Sequence, residues 1–330
     1  MFHKLNLKTL VIILAVLVAI YVIASMVGGN DRTFRSEIVK VDTAHVTDIY
    51  ISILKDKAEI SLKKTGGPEN WEVSSNGSSF VADPNIVKNI LSQYVDMKPE
   101  RIAATSKDKW TQFEVSDSAG THVILKDGSS ELANVWVGKF SYSQPPAQAQ
   151  QQNPYQQQRG KMTSFVRVNK EDEVYAVDGF LKMTYQKDIN SYRQKSLVNV
   201  NKDDLTRLVF TGPGFSSFSL TKNDTKWMIN GVMADSAKTM RYLNKIAKLS
   251  SSDFLPATAL KTGDATYKLT VEGNNFSPVE IKAFPSDTLL KYVVTSSANS
   301  GAEFNGGKGK LFEKIFVDQT EFLIGEKTGK

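Results

Sequence analysis

The chain contains no cysteine. That absence excludes a disulfide framework, a thiolate nucleophile and any zinc site built on cysteine. Histidine is nearly as scarce, with His3, His45 and His122 the full complement. None has a second ligand at the His-x-x-x-His or Glu-x-x-His spacing of a helical metal site. His45 and His122 read as solvated or hydrogen-bonded strand-edge residues, and no metal is expected. A basic run interleaved with aromatics is also missing. The net charge of +6 comes from 41 Lys and Arg against 35 Asp and Glu, mixed along the chain. No nucleic-acid partner is expected from such a distribution.

Catalytic signatures are lacking too. No serine sits in a Gly-x-Ser-x-Gly elbow or in a Ser-x-x-Lys set with partners, and no activating base can be nominated for one. Gly306-Gly307-Lys308-Gly309 fails as a phosphate loop, because Ala302 and Gly309 stand where glycine and Ser or Thr are required. Gly212-Pro213-Gly214 is followed by Ser217 in place of a third glycine. Both read as turns. The acidic cluster Glu171-Asp172-Glu173 reads as a solvated turn. The expectation is a protein with no catalytic, cofactor-binding or metal-binding residue. An envelope hydrolase is the least favoured alternative, since two glycosidase carboxylates need only meet in space.

What the chain does have begins with an apolar run, LVIILAVLVAIYVIASMV, at residues 10–27. Its length matches the roughly 30 Å of a bilayer's hydrocarbon core. Lys4 and Lys8 precede it, so the positive-inside rule places the N-terminus in the cytoplasm. A single-pass anchor in the cytoplasmic membrane is expected, with residues 1–30 as tip and anchor and the rest extracytoplasmic. A cleaved signal peptide competes, given small residues at Ala24, Ser25, Gly28 and Gly29, but the apolar core is long for one.

The remainder is globular in composition, 41% hydrophobic and 23% charged. It reads as a duplication. VTDIYIS from Val46 and LTRLVFT from Leu205 alternate as half-buried strands do. Each is followed by a second strand, a tryptophan strand at Trp71 or Trp227, and an Ala-Asp pair opening a helix. The helices over 83–97 and 235–249 align without a gap, with Asp83 and Asp235 as N-caps and Pro84 at the first helical position. Val87, Ile90, Leu91, Tyr94 and Met97 form one apolar stripe, and Tyr242, Leu243, Ile246 and Leu249 the other. Further strands are expected at FEVSD, HVILKD and NVWVGK in the first copy, and at YKLTVEG, VEIKAF and LLKYVVTS in the second. VYAVD and KIFVD close the two copies. The predicted architecture is α+β: a transmembrane helix followed by two tandem antiparallel-sheet-plus-helix domains, 31–200 and 201–330. A Gln- and Pro-rich stretch at 144–160 interrupts the first copy and is too polar to build a core.

This order resembles a bacterial family of domains of unknown function, family 4340. The resemblance rests on the short apolar run, the alternating strand, the tryptophan strand, the Ala-Asp helix start and the VWVGK strand, a pattern that occurs twice. It implies an envelope protein encoded beside ABC-type transport components, including gliding-associated ones, and it supplies no catalytic residue. The Gln-rich insertion departs from the pattern, as does VTS where the first copy has VGK. The expected function is therefore that of a non-enzymatic accessory or scaffold of an ABC-type envelope system, with the membrane at residues 10–27 and transporter subunits as partners. Oligomeric state is left open. The alternative is a binding module for a glycan or lipid, in which Trp110 and Trp136, the two tryptophans outside the repeated strand, line the ligand surface.

Overall fold

The computed structural model of the chain describes residues 13–14, 16–18, 36–144, 160–213, 217–256, 261–286 and 291–324. Runs of alternating β-branched and polar residues form two antiparallel sheets. The first contains β1 (Asp48–Ile53), β2 (Ala58–Lys64), β3 (Trp71–Ser75), β4 (Ser78–Val81), β5 (Pro99–Ala104), β6 (Thr121–Asp127), β7 (Ser130–Ser143), β8 (Lys161–Val168) and β9 (Val174–Asp178). Their order is β4-β3-β2-β1-β6-β7-β8-β9-β5. The second contains β10 (Leu205–Thr211), β11 (Phe218–Asn223), β12 (Lys226–Ile229), β13 (Val232–Met233), β14 (Tyr267–Gly273), β15 (Val279–Pro285), β16 (Tyr292–Ser296) and β17 (Phe304–Asn305). Their order is β13-β12-β11-β10-β14-β15-β16-β17. With β5 set aside, the two orders are the same.

Two expectations are corrected here. The α+β class gives way to a mostly antiparallel-sheet protein. Helices among the described residues are few: α1 (Pro84–Ser92), α2 (Trp110–Phe113), α3 (Ser236–Ala247) and α4 (Leu311–Ile315), with short 3-10 turns. The strands carry most of the buried side chains, and the two longer helices add Val87 and Ile90 to the first core and Tyr242, Leu243, Ile246 and Ala247 to the second. The expected transmembrane helix is not supported either: no helix among the described residues is long and apolar enough to cross a membrane. A run of apolar letters measures hydropathy, whereas spanning needs about 20 residues of continuous helix. Of residues 10–27, only Ile13, Leu14, Val16, Leu17 and Val18 are described, helical and exposed. The rest of the run lies outside the described residues, as does the Gln-rich stretch apart from Gln144 and Gly160.

The repeat extends further than the strand at Val46. Residues 38–52 and 197–211, IVKVDTAHVTDIYIS and LVNVNKDDLTRLVFT, align without a gap. The amides of Ile38 and Val39 donate to Met97 O, and those of Leu197 and Val198 to Leu249 O. Each copy thus begins by docking on the end of its own helix segment. Asp42 and Asn201 then cap matching 3-10 turns. The helix N-caps are also equivalent. The Asp83 and Asp235 side chains accept from Asn85 N and Lys238 N. Their own amides donate to Tyr192 O and Phe322 O, both at 2.8 Å. Asn76-Gly77 and Asn230-Gly231, all at positive φ, turn the β3–β4 and β12–β13 hairpins, the two-residue chemistry such turns favour.

These anchors revise the expected pairings. FEVSD is not a strand but the end of α2 and the turn after it. KIFVD is not a strand either, and overlaps α4. Asp188 and Asp318 cap the 3-10 turns Ile189–Ser191 and Gln319–Phe322, so Leu181–Thr184 is the counterpart of α4. VTS lies in β16, which holds the place of β8, so it is not the counterpart of VGK in β7.

Each sheet has its own core. Ile49, Ile51, Leu62, Val73, Ile90 and Tyr94 pack in the first, and Leu208, Phe210, Leu220, Ile246, Phe304 and Phe322 in the second. Each buried large apolar side chain contributes about 1.5–3 kcal/mol, so each sheet is stabilised by its own cluster. The connection between them is ordered along its length. Gln194 N donates to Val81 O, Ser251 N to Lys195 O, and Asn299 Nδ2 to Gln194 O at 2.6 Å. Within it, the buried Arg193 guanidinium carbon lies 3.5 Å from the Phe80 ring centroid and 3.8 Å from that of Phe254. Phe80 belongs to the β4 edge. Phe254 packs on Phe304 of β17, at 5.1 Å between centroids.

A second, smaller cluster (Val115, Trp136, Phe165, Val174 and Ala176) covers the other face of β7–β9 under the segment bearing α2. Gly138 permits this overlay, since a Cβ there would sit 2.1 Å from Phe113 O. Gly138→Ala is expected to lower the stability of the full chain by about 1–3 kcal/mol through overpacking, read by urea denaturation. An unchanged midpoint would mean the overlay does not press on β7.

Candidate functional site

The sequence singles out Trp110 and Trp136, and the structure brings them together around a third residue. His122 on β6 sits directly across from Trp136 on β7, and Trp136 directly across from Arg167 on β8. Directly opposed residues of neighbouring antiparallel strands share a sheet face, so the three side chains form a cross-strand row. The His122 and Trp136 rings stack at 3.9 Å with 9° between planes. The Arg167 guanidinium carbon lies 3.7 Å from the Trp136 centroid and 3.8 Å from that of Trp110. Two indoles that close to one carbon would collide on the same side, so they flank the guanidinium on opposite faces. The row therefore runs His122, Trp136, Arg167, Trp110.

The edges of these groups are held as well. Arg167 Nε donates to Val115 O at 2.9 Å, and Nη2 to Asp117 Oδ1 at 2.6 Å. Burial lowers the Arg167 pKa, opposed by the Asp117 charge; an arginine in such a place still keeps its proton. His122 Nε2 bonds Asn134 Oδ1 at 2.7 Å, and Asn134 Nδ2 donates to Glu131 Oε2 at 2.9 Å. Trp110 Nε1 donates to Asp172 O at 2.9 Å. Lys182 Nζ donates to Glu114 Oε2 at 2.8 Å, which clamps the overlay and holds the Glu114 carboxyl below its ordinary range.

This geometry decides what the tryptophans can do. A sugar stacks on an open aromatic face. Trp136 is 8% exposed, with His122 on one face and Arg167 on the other. Trp110 has Arg167 on one face and Lys107 Nζ 5.6 Å from the ring centroid. The row is a packing device, an arginine held between two indoles, with cation–π attraction of about 2 kcal/mol per desolvated contact. Sequence reasoning found both tryptophans and missed Arg167. The signal was present in the alternation of β7 and β8, but it needs the register between strands to be seen.

The remaining candidates are also accounted for. Tyr175 OH donates to Glu171 Oε2 at 2.8 Å, and Asp172 faces Lys107 at 3.6 Å, so the acidic cluster is engaged in local contacts. His45 is exposed beside Asp42 and Asp127, at 3.8 and 3.9 Å. His3 and Gly214 lie outside the described residues. Asn305 Oδ1 accepts from Gly307 N and Lys308 N, both at 3.0 Å, an Asx turn in the glycine-rich piece. Among the described residues, no group of three or more His, Asp or Glu is placed to hold a metal ion.

Fold and row together define a duplicated antiparallel-sheet protein in which Arg167 packs between the two singled-out tryptophans. Residues 156–270 match the family described as Domain of unknown function (DUF4340), and the resemblance read from the sequence is borne out over that segment. The match runs from just before β8 into β14, across the junction that carries Arg193. No curated protein and no solved structure matches the chain.

Arg167→Lys keeps the charge but loses the plane that both indoles cover. It is expected to cost about 1–3 kcal/mol and to shift tryptophan emission to the red as Trp136 gains water. Denaturation and fluorescence of the variant test this. Emission and midpoint both unchanged would contradict a stacked row.

Proposed function

We propose that the chain is a non-enzymatic interaction protein of the cell envelope, an accessory or scaffold of an ABC-type transport assembly on the extracytoplasmic side. The observation that carries the interaction reading is the closure of Trp136 on both ring faces. It argues against the glycan-binding alternative at Trp136, one of the two tryptophans on which that reading rested. Two separately cored sheets joined through an ordered junction also suit a body that holds partners at fixed separation. The transport context comes from the family resemblance.

The test is affinity purification of the tagged full chain from detergent-solubilised cells at native expression, with mass spectrometry of what is retained. Permease and ATPase subunits of one ABC-type assembly are expected in constant proportion to the chain. Recovery of the chain without them, alongside normal transport in a strain lacking it, would overturn the proposal.

A further inference from the structure

The repeat provides an internal control for which residues the fold itself requires. In the second copy, α3 and α4 face each other across a groove of about 470 Å³. Its walls carry Lys238, Arg241 and Lys245 from α3, and Lys310 and Lys314 from α4 and its flank. Glu313 and Glu321 are the two acids among the lining residues. Five cations against two carboxylates give this groove a net +3, half of the +6 on the whole chain. Arg241, Lys245, Lys310 and Lys314 are exposed, and no ion pair joins any of them to another described residue. The floor is apolar: Phe322 is buried edge-on against Tyr242, whose hydroxyl donates to Ile315 O at 2.5 Å.

The same place in the first copy is built differently. Counting from the equivalent caps Asp83 and Asp235, the positions of Lys238, Arg241 and Lys245 are held by Ile86, Asn89 and Gln93. Counting from Asp188 and Asp318, those of Lys310 and Lys314 are held by Phe180 and Thr184. There Gln93 Nε2 donates to Thr184 Oγ1 at 2.5 Å, and Tyr185 OH to Gln93 Oε1 at 2.8 Å. These bonds tie the helix to the facing turn, where the second copy has mutually repelling cations. The fold forms in both copies, so the cations are not there to build it. Unpaired like charges on facing walls cost stability unless an anion sits between them.

We infer that this groove binds a phosphate ester. Several point-charge ammonium groups and one guanidinium suit a group bearing several anionic oxygens. Leu323 and Ile324, 37% and 61% exposed, follow directly after Phe322. They give the cationic groove an apolar rim, as an anionic lipid headgroup with its chains would need. A free phosphate-bearing metabolite shares the headgroup chemistry and needs no rim.

The experiment is calorimetric titration of the full chain in neutral maltoside micelles, with glycerol phosphate in one arm. In the other arm, the micelles carry phosphatidylglycerol at about one part in five. Lys245→Glu with Lys314→Glu is compared with Lys63→Glu and Lys88→Glu, two exposed lysines of the first copy, so both double variants change the net charge equally. The groove pair is expected to weaken binding at least about tenfold, and the first-copy pair less than about twofold. Heat from glycerol phosphate identifies a free ligand, and heat from the doped micelles alone identifies a lipid headgroup. No binding in either arm, or equal loss in the two double variants, overturns the inference.

Discussion

The structure depends most on Arg193, clasped between Phe80 of the first sheet's edge and Phe254 of the second half. Each sheet has its own core, so what requires explanation is their junction. An edge strand exposes unpaired backbone groups and is a hazard unless covered. The Arg193 segment covers β4, with Gln194 N on Val81 O and Ala82 bridging Arg193. Phe254 bridges Phe304 at the other sheet's β17 edge. A buried cation costs free energy unless its faces and its donors are engaged. Here the rings cover both faces, Nη1 donates to Asn190 Oδ1 at 3.0 Å, and Nε has no partner among the described residues. Burial lowers its pKa to about 10, against the pull of Asp188, so at neutral pH the group is cationic and the ring contacts are cation–π.

Arg167 repeats this solution inside the first half, where it pins the overlay bearing Trp110 to the sheet. Both arginines lie between aromatics from separate chain segments, and a planar guanidinium, unlike a lysine ammonium, can present two faces to two rings. The second copy has no row of this kind among its described residues. It relies on ring-to-ring packing of Phe210, Phe218, Tyr242 and Phe322. What the copies share is therefore narrow: strand order, Asn-Gly hairpins, aspartate-capped helices, and the docking of each copy's first residues on its own helix segment. The cationic groove is not among these shared features, and the first copy folds without it.

Much of this was legible in the sequence. Asp83 and Asp235, with the periodic apolar residues after them, located both helices, because caps and amphipathic stripes are local signals. Helix length was overstated. The apolar pattern runs on to Met97, whereas α1 ends at Ser92 and Met97 pairs with Val39 in an isolated antiparallel bridge. KIFVD reads as a strand because a short apolar run fits a strand and a single helical turn equally well. The Asn-Gly pairs at 76–77 and 230–231 mark both hairpin turns in the sequence itself. Arg167 and Arg193 were beyond reach, since a stacking residue declares itself only when strand register or chain crossing brings its aromatics to it. Trp110 and Trp136 flank Arg167, an arrangement that composition does not reveal.

The most direct test of the junction is hydrogen exchange on the full chain beside its Arg193→Ala variant. If the clasp orders the junction of two separately cored sheets, protection falls at the amides of Asp83, Gln194 and Ser251 and along β4, while the amides of β1 and β10 stay protected. Protection unchanged across the junction, or lost from both cores together, would contradict that account.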